Sequence, residues 1–344
     1  MRYIKWLLLA AAAMTGVYLF GPQPSDPLYR KALPDVPSGS QQLEQYVQQL
    51  ETARKIKPGN NAMIVWNDSL RQKTPFAIVY LHGFSASREE GNPVHMNIAR
   101  KFGCNLYLSR LAEHGIDTVD AMINLTADGL WESAKQALAI GRQLGEKVII
   151  MGTSTGGSLA LQLAATYPDI AALVLMSPNI EINNAKAGIL NDPWGLEIAR
   201  QVTGSEYNYA KNNTPEYKKY WYYQYRLESA VQLQEYLETA MTKATFAAVR
   251  QPVLSLYYYR DAEHQDPVVK VSAIRQMMKL LGTPANQRRA LSIPTAGHHV
   301  LGSHIVSQDT PAVEKATGDF LVEVVGMMPS TRASQPGPGL PLQP

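Results

Sequence analysis

Residues Val148-Ile149-Ile150-Met151 run without a polar side chain into Gly152-Thr153-Ser154-Thr155-Gly156-Gly157, and a helix-prone segment continues from Gly157 to Tyr167 before Pro168. A strand that is apolar on both faces belongs in the middle of a parallel sheet covered by helices on both sides. Gly-x-Ser-x-Gly between such a strand and a helix sets the serine on a tight, strained turn. Glycines at 152 and 156 then remove side chains that would collide where the backbone reverses. Ser154 Oγ is expected above the sheet, with the Thr155 N–H close by to receive developing negative charge. The competing reading is a glycine-rich turn with an idle serine, and whether an acid and a base stand at matching strand ends farther along the chain decides between the two.

The rest of the sequence keeps the same rhythm. Residues 76–81 read as a strand ending at His82-Gly83-Phe84-Ser85. A helix is expected at 94–101, a strand at 105–109, a helix within 126–144 and a strand at 172–177. A strand from 253, a helix to 281, a last strand at 290–293 and a helix over about 311–326 complete the series. Strands alternating with helices of this length predict a parallel sheet with right-handed crossovers. Residues 62–66 and 76–81, separated by a polar turn, are expected to pair as an antiparallel hairpin at one side of the sheet. Residues 179–250 show no buried strand and read as a helical cap inserted into a core of 41–178 and 251–327. The cap's aromatic cluster, Tyr217 to Arg226, would pack cap onto core, line an acyl pocket or touch lipid headgroups.

The flanks read differently. In residues 1–20, Arg2 and Lys5 precede an uncharged run of fifteen residues, followed by Gly-Pro-Gln-Pro-Ser-Asp-Pro. That run is short of the ~20 residues of a spanning helix but within the range of a secretory segment. No clear Ala-x-Ala site follows it, and Trp6, Tyr18 and Phe20 stand at its ends. An uncleaved N-terminal membrane anchor is therefore expected, with a cleaved signal as the alternative. The positive-inside rule puts the rest of the chain outside the cytoplasm, in a bacterial periplasm at the inner membrane. Residues 21–40 read as a Pro-rich linker, 41–55 as an amphipathic helix, and 328–344, with five prolines and no aromatic, as a disordered tail. A net charge of +3 without a basic stripe gives no case for nucleic acid. Cys104 is the one cysteine, which excludes intrachain disulfides and reads as a small buried hydrophobe.

A serine hydroxyl is a poor nucleophile until a base takes its proton, and the base needs a third group to hold its tautomer. On such a turn the chain order is serine, then acid, then histidine. Asp261, Glu263 and Asp266 follow the penultimate strand. Asp266, directly before Pro-Val-Val at a helix start, is preferred, with Asp261 as the alternative. His298 and His299 follow the last strand, and only one can meet Ser154. His299 is preferred because Val300 after it would tuck into the core and fix the ring. His95, His114, His264 and His304 are expected at the surface or in loops, without the paired spacing of a metal site. In His82-Gly83-Phe84, Gly83 lets the backbone turn so that the Phe84 amide faces Ser154 beside that of Thr155.

Leu81-His-Gly-Phe-Ser, Gly152-Thr-Ser-Thr-Gly-Gly, Gln265-Asp-Pro-Val-Val and Ala296-Gly-His-His-Val, in that order, resemble the α/β-hydrolase superfamily. Within it they look most like the serine aminopeptidase, monoacylglycerol lipase and small bacterial carboxylesterase group, over about residues 60–326. The resemblance implies an eight-stranded, mostly parallel sheet with helices on both faces and a helical cap after the sixth strand. It also implies hydrolysis of a small acyl ester or lipid-like substrate through an acyl-enzyme, without a cofactor or metal. Relatives with a single histidine here keep it before the valine, which favours His299. The loop before Asp266 is several residues longer than is usual in that group. Amide, peptide and thioester hydrolysis use the same triad, and a membrane-tethered binding protein with an inert hydrolase fold is the non-enzymatic alternative.

Overall fold

The computed structural model describes residues 2–331. In chain order it contains α1 (Arg2–Leu19), α2 (Ser40–Thr52), β1 (Met63–Val65), β2 (Thr74–Leu81), α3 (Val94–Phe102), β3 (Asn105–Leu108), α4 (Ala127–Leu144), β4 (Gly145–Thr153), α5 (Thr155–Thr166) and β5 (Ala172–Met176). Next come α6 (Gly195–Thr203), β6 (Tyr207–Tyr209), α7 (Pro215–Tyr220), β7 (Gln224–Arg226), α8 (Leu227–Ala240) and α9 (Lys243–Ala248), and then β8 (Val253–Tyr257), α10 (Val271–Leu280), β9 (Arg288–Ser292) and α11 (Thr310–Glu323). Seven strands form one sheet in the order β1-β3-β2-β4-β5-β8-β9, parallel throughout except at β1.

Successive side chains of a strand point to opposite faces, and both faces here are filled. Ala77, Val79 and Leu81 of β2 and Val148 and Ile150 of β4 join a core built with α4, α5, α8 and α10. Ile78, Tyr80, Ile149 and Met151 face the other way, onto α3 and α11. The α4 helix starts where it does because the Thr126 hydroxyl accepts the Gly129 N–H and Asp128 lies in the first turn, both favourable at a helix N-terminus. Helices thus cover both sides of a mostly parallel sheet, as the resemblance implies.

Several expectations are corrected. β1 does not pair with β2. Both edges of β2 are taken by β3 and β4, so β1 reaches past it and pairs antiparallel with β3, Met63 opposite Leu108. Among the described residues the sheet has seven strands, not eight: upstream of β1 the chain is helical and then makes a single bridge, Ile56 to Ile116. The insertion accordingly follows the fifth strand rather than the sixth. It holds an antiparallel pair, β6 with β7, that the absence of a buried strand pattern concealed. Its helical stretch breaks between α8 and α9, where Thr242 caps a new helix. Leu233, Tyr236, Leu237 and Phe246 of these helices lie in the main core.

The Pro-rich residues 21–40 do not form a free tether. The Asp128 carboxylate accepts the Leu28 and Tyr29 N–H groups. The carbonyls of Arg30, Lys31 and Ala32 accept from Trp131 Nε1, Tyr167 Oη and Lys135 Nζ at 2.8, 2.6 and 2.7 Å. α1 itself is helical, and no helix among the described residues is long and apolar enough to cross a membrane. Of the expected disordered tail, Ser330 N donates to Lys101 O, and residues 332–344 lie outside those described.

Candidate active site

Ser154 sits between β4 and α5 at φ 53° and ψ −118°, a conformation that costs a non-glycine residue about 1–3 kcal/mol and is stored mainly at functional sites. Its backbone is held from several sides: N–H to Met176 O at 2.9 Å, and C=O from the amides of Gly157, Ser158 and Asn179. The two motif glycines are required by close backbone approach. A Cβ on Gly156 would lie 2.0 Å from Leu81 O, and one on Gly152 would lie 2.4 Å from Gly156 O. The end of β2 is thereby pressed against the start of α5, which brings the loop after β2 beside Ser154. The Ser154 hydroxyl makes no hydrogen bond among the described residues.

At the far side of the same sheet edge, Asp266 and His299 meet. Asp266 Oδ2 stands 2.7 Å from His299 Nδ1, while Oδ1 accepts the Val268 and Val269 amides at 2.9 and 3.1 Å. Asp266 is fully buried and His299 is 6% exposed. The long loop before Asp266 closes on itself: Tyr259 bridges Gln265 and Arg260 N donates to His264 O, so residues 260–264 bulge outward. Asp266 N then bonds Tyr258 O, one residue past β8, as a short loop would have arranged. Asp261 rides on the bulge, half exposed and paired with His264 and Arg260, whereas His299 pairs with Asp266. His298 Nδ1 accepts the Val300 N–H, and Val300 packs under Ala86 and Trp221.

Electrostatics favour ions at this pair. Burial opposes the His299 imidazolium, but the facing Asp266 carboxylate, helped by Glu90, holds its pKa above the ordinary histidine value. Burial likewise opposes the Asp266 carboxylate, and His299 with the Val268 and Val269 amides brings it below its usual range. His298 is lowered, by burial and by the charge of His299.

The loop after β2 is pinned on both sides of Phe84. Gly83 N donates to the Glu90 carboxylate and Ser85 N to His114 Nε2, and no acceptor for the Phe84 or Thr155 amide is found among the described residues. His82 Nε2 accepts from Leu111 N, which anchors the start of the turn. His95 and His114, expected at the surface or in loops, are buried, and burial first of all pulls each down to about 4, so both are neutral packing groups. The cap's aromatic cluster closes over this loop. Tyr222 N donates to Ser85 O, the Phe84 ring meets Tyr225 edge-on at 5.1 Å, and Trp221 stacks on Tyr217 at 4.9 Å. Glu90, in the 3-10 turn Arg88–Gly91, is the site residue that sequence reasoning missed. Glu89-Glu90 in a polar loop reads as solvated charge, and only the turn's geometry aims the second carboxyl inward.

The family model of serine aminopeptidases, S33, matches residues 129–304, just over half of the chain. The chain belongs to the S33 serine aminopeptidase family. The matched span of this S33 protein takes in Ser154, Asp266 and His299. A thermostable monoacylglycerol lipase of Bacillus sp. (strain H-257) is 28% identical over 195 residues, 56% of this chain and 72% of that protein. Among solved structures, one from the metagenome-derived lipolytic enzymes LipS and LipT aligns with TM-score 0.63 at 16% identity, covering 78% of this chain and 99% of that one. The Paleococcus ferrophilus monoacylglycerol lipase aligns with TM-score 0.56 at 15% identity, covering 76% and 97%. These structural likenesses are of fold. The S33 chain has the α/β-hydrolase fold.

Proposed function

We propose that this protein is a serine hydrolase that cleaves an acyl ester, with Ser154 as nucleophile, His299 as base and Asp266 as the group that orients it. The observation that carries the reading is the buried Asp266–His299 pair at the same sheet edge as a serine held in a strained turn. Nε2 of His299 takes the Ser154 proton as Oγ attacks the ester carbonyl. The Phe84 and Thr155 amides, without an acceptor among the described residues, receive the oxyanion. The alcohol leaves with the proton from His299, and water releases the acyl group by the same steps. The serine–histidine hydrogen bond closes on substrate binding, as such bonds are commonly long in the free enzyme. The Bacillus relative supports a small glyceryl or alkyl ester as substrate, with the aromatic residues of the cap, Tyr225 against Phe84, lining the acyl side.

Ser154→Ala is expected to abolish hydrolysis of short p-nitrophenyl esters while circular dichroism stays native, and a fluorophosphonate probe is expected to label the wild type at Ser154. Turnover retained by Ser154→Ala overturns the reading. Absence of labelling points to the inert binding protein. Matched ester, anilide and thioester substrates assign the bond type, and preference for the anilide would replace the esterase by an amidase. We also infer that α1 serves as a secretory signal to a bacterial periplasm rather than as a spanning anchor. N-terminal sequencing of fractionated cells is expected to find a start beyond residue 20, and an intact N-terminus in the membrane fraction would overturn this.

A further inference from the structure

Glu90 stands inside the proposed site without a part in the mechanism above. It is 2% exposed, and its carboxylate accepts the Gly83 N–H. Glu90 and Ser154 crowd one point from two sides. A Cβ placed on Gly83 would lie 2.8 and 2.9 Å from the two Glu90 oxygens and 3.1 Å from Ser154 Cβ. Trp221 from the segment after α7, Tyr80 of β2 and His299 from the loop after β9 lie close enough to favour its charged form. Burial outweighs them and pushes the carboxyl up to about 7. Of the other ionisable groups around it, Tyr80 is raised well above the phenol range and Tyr217 of α7 is pushed up to about 12, both chiefly by burial, so both are neutral. Glu89 adjoins it in the turn and acts on Tyr80 from the same side.

We propose that Glu90 is a positioning carboxyl for the acyl transfer described above, one that holds the Gly83–Phe84 turn beside Ser154 by accepting the Gly83 N–H. The inference rests on the serine hydrolase reading. Neutral, Glu90 keeps the turn in place and adds no charge beside the Phe84 amide. Ionised, it puts a negative charge across Gly83 from the place where the oxyanion forms, and repulsion between like charges a few Å apart is substantial even at an effective dielectric of about 20. The same ion strengthens the hold of His299 on its proton. Glu90 and His299 therefore titrate as a coupled pair, and kcat/KM follows a bell: the acid limb falls as the imidazole is protonated, the alkaline limb as Glu90 ionises.

The test compares kcat and KM of the full chain from pH 5 to 10, followed by pH-stat on a short-chain ester, for wild type, Glu90→Gln and Glu90→Ala. Glutamine keeps an acceptor for Gly83 N–H but cannot ionise. Glu90→Gln is expected to lose the alkaline limb while its acid limb stays within about half a unit of wild type, with KM within about twofold of wild type. Glu90→Ala, which frees the turn, is expected to lose about tenfold or more in kcat at every pH with KM little changed. A Glu90→Gln profile that superimposes on the wild type overturns the proposal, as does a Glu90→Ala kcat equal to wild type. Should either variant fail to fold, the wild-type rate of Ser154 labelling by a fluorophosphonate decides. An alkaline decline supports the role, and a plateau to pH 10 overturns it. Ser154→Ala keeps the two levels apart. Activity surviving it overturns the hydrolase reading itself, whereas an unaltered Glu90→Gln beside an inactive Ser154→Ala overturns only the role of Glu90.

Discussion

Asp266 Oδ2 and His299 Nδ1, from loops 33 residues apart, meet at 2.7 Å with neither side chain open to solvent. The contact keeps the proton on Nδ1 and leaves Nε2 as the base. Asp266→Asn preserves size but offers an amide that permits the other tautomer. Its kcat is expected to fall by about 10³–10⁴ with KM nearly unchanged. Asp261→Asn, on the outward bulge, is expected to stay within about twofold of wild type. Steady-state kinetics on one ester decide it, and equal losses at the two positions would remove Asp266 from its role.

The pH dependence stems from the raised His299. The base must be neutral to accept the serine proton, so kcat/KM is expected to fall on acidification with a midpoint above the ordinary histidine value of about 6.5. Asp266→Asn, which removes the carboxylate that raises it, is expected to bring that midpoint down. Stability runs with a different sign. A histidine raised by folding contributes fully below its unfolded pKa and loses the contribution as pH rises through the folded one. The depressed Asp266 contributes above its unfolded pKa and loses it as pH falls. Urea titrations should therefore show a larger gap between wild type and His299→Gln at pH 5.5 than at pH 8.5, and the reverse order would contradict the charge assignment.

What the sequence disclosed and what it hid divide along a physical line. The strand, turn and helix around Ser154 are local: apolar run, glycine spacing and helix propensity all act within twenty residues. Strand pairing is not local. Residues 62–66 look like half of a hairpin because a polar turn comes after them, but the edge of β2 they would need is occupied by chain that comes later. Asp261 and Asp266 carry the same chemistry in the same loop, and only the Tyr259–Gln265 bridge separates them. The inward turn of Glu90 and the burial of His114 depend on neighbours far along the chain, and no periodicity reports those.

Gly156 shows how tightly the nucleophile turn is built. A methyl group there would sit 2.0 Å from Leu81 O, against backbone of β2 that cannot retreat without disturbing the sheet centre. Gly156→Ala is expected to cost about 3 kcal/mol or more. Gly188→Ala, whose new methyl would meet only the Glu238 side chain at 3.7 Å, is expected to stay within about 0.5 kcal/mol of wild type. Equilibrium unfolding in urea measures both. A Gly156→Ala protein as stable as wild type would mean that β2 and α5 are not in contact.

The Pro-rich segment before α2 is expected to act as part of the core. Tyr29 lies edge-on to Trp131 and Tyr236, with centroids 6.4 and 6.2 Å away, and Leu33 and Val36 pack against the same cluster. Beneath it Lys135 is 1% exposed and its ammonium donates to Ala32 O, while the Trp131 indole N–H and the Tyr167 hydroxyl donate to Arg30 O and Lys31 O. Each such hydrogen bond is worth about 1 kcal/mol net, and uncovering the aromatic side chains adds the loss of their burial. Removing residues 1–36 is therefore expected to cost roughly 3–6 kcal/mol, a large share of the 5–15 kcal/mol that stabilises a typical domain. Removing only residues 1–21 takes α1 and leaves these contacts whole, so its melting temperature is expected within about 2 °C of the full chain. Thermal melts of the two truncations, with limited proteolysis of the full chain, test this. If the shorter protein melts with the longer one, or protease cuts residues 26–36 while the rest stays folded, the segment is a tether after all.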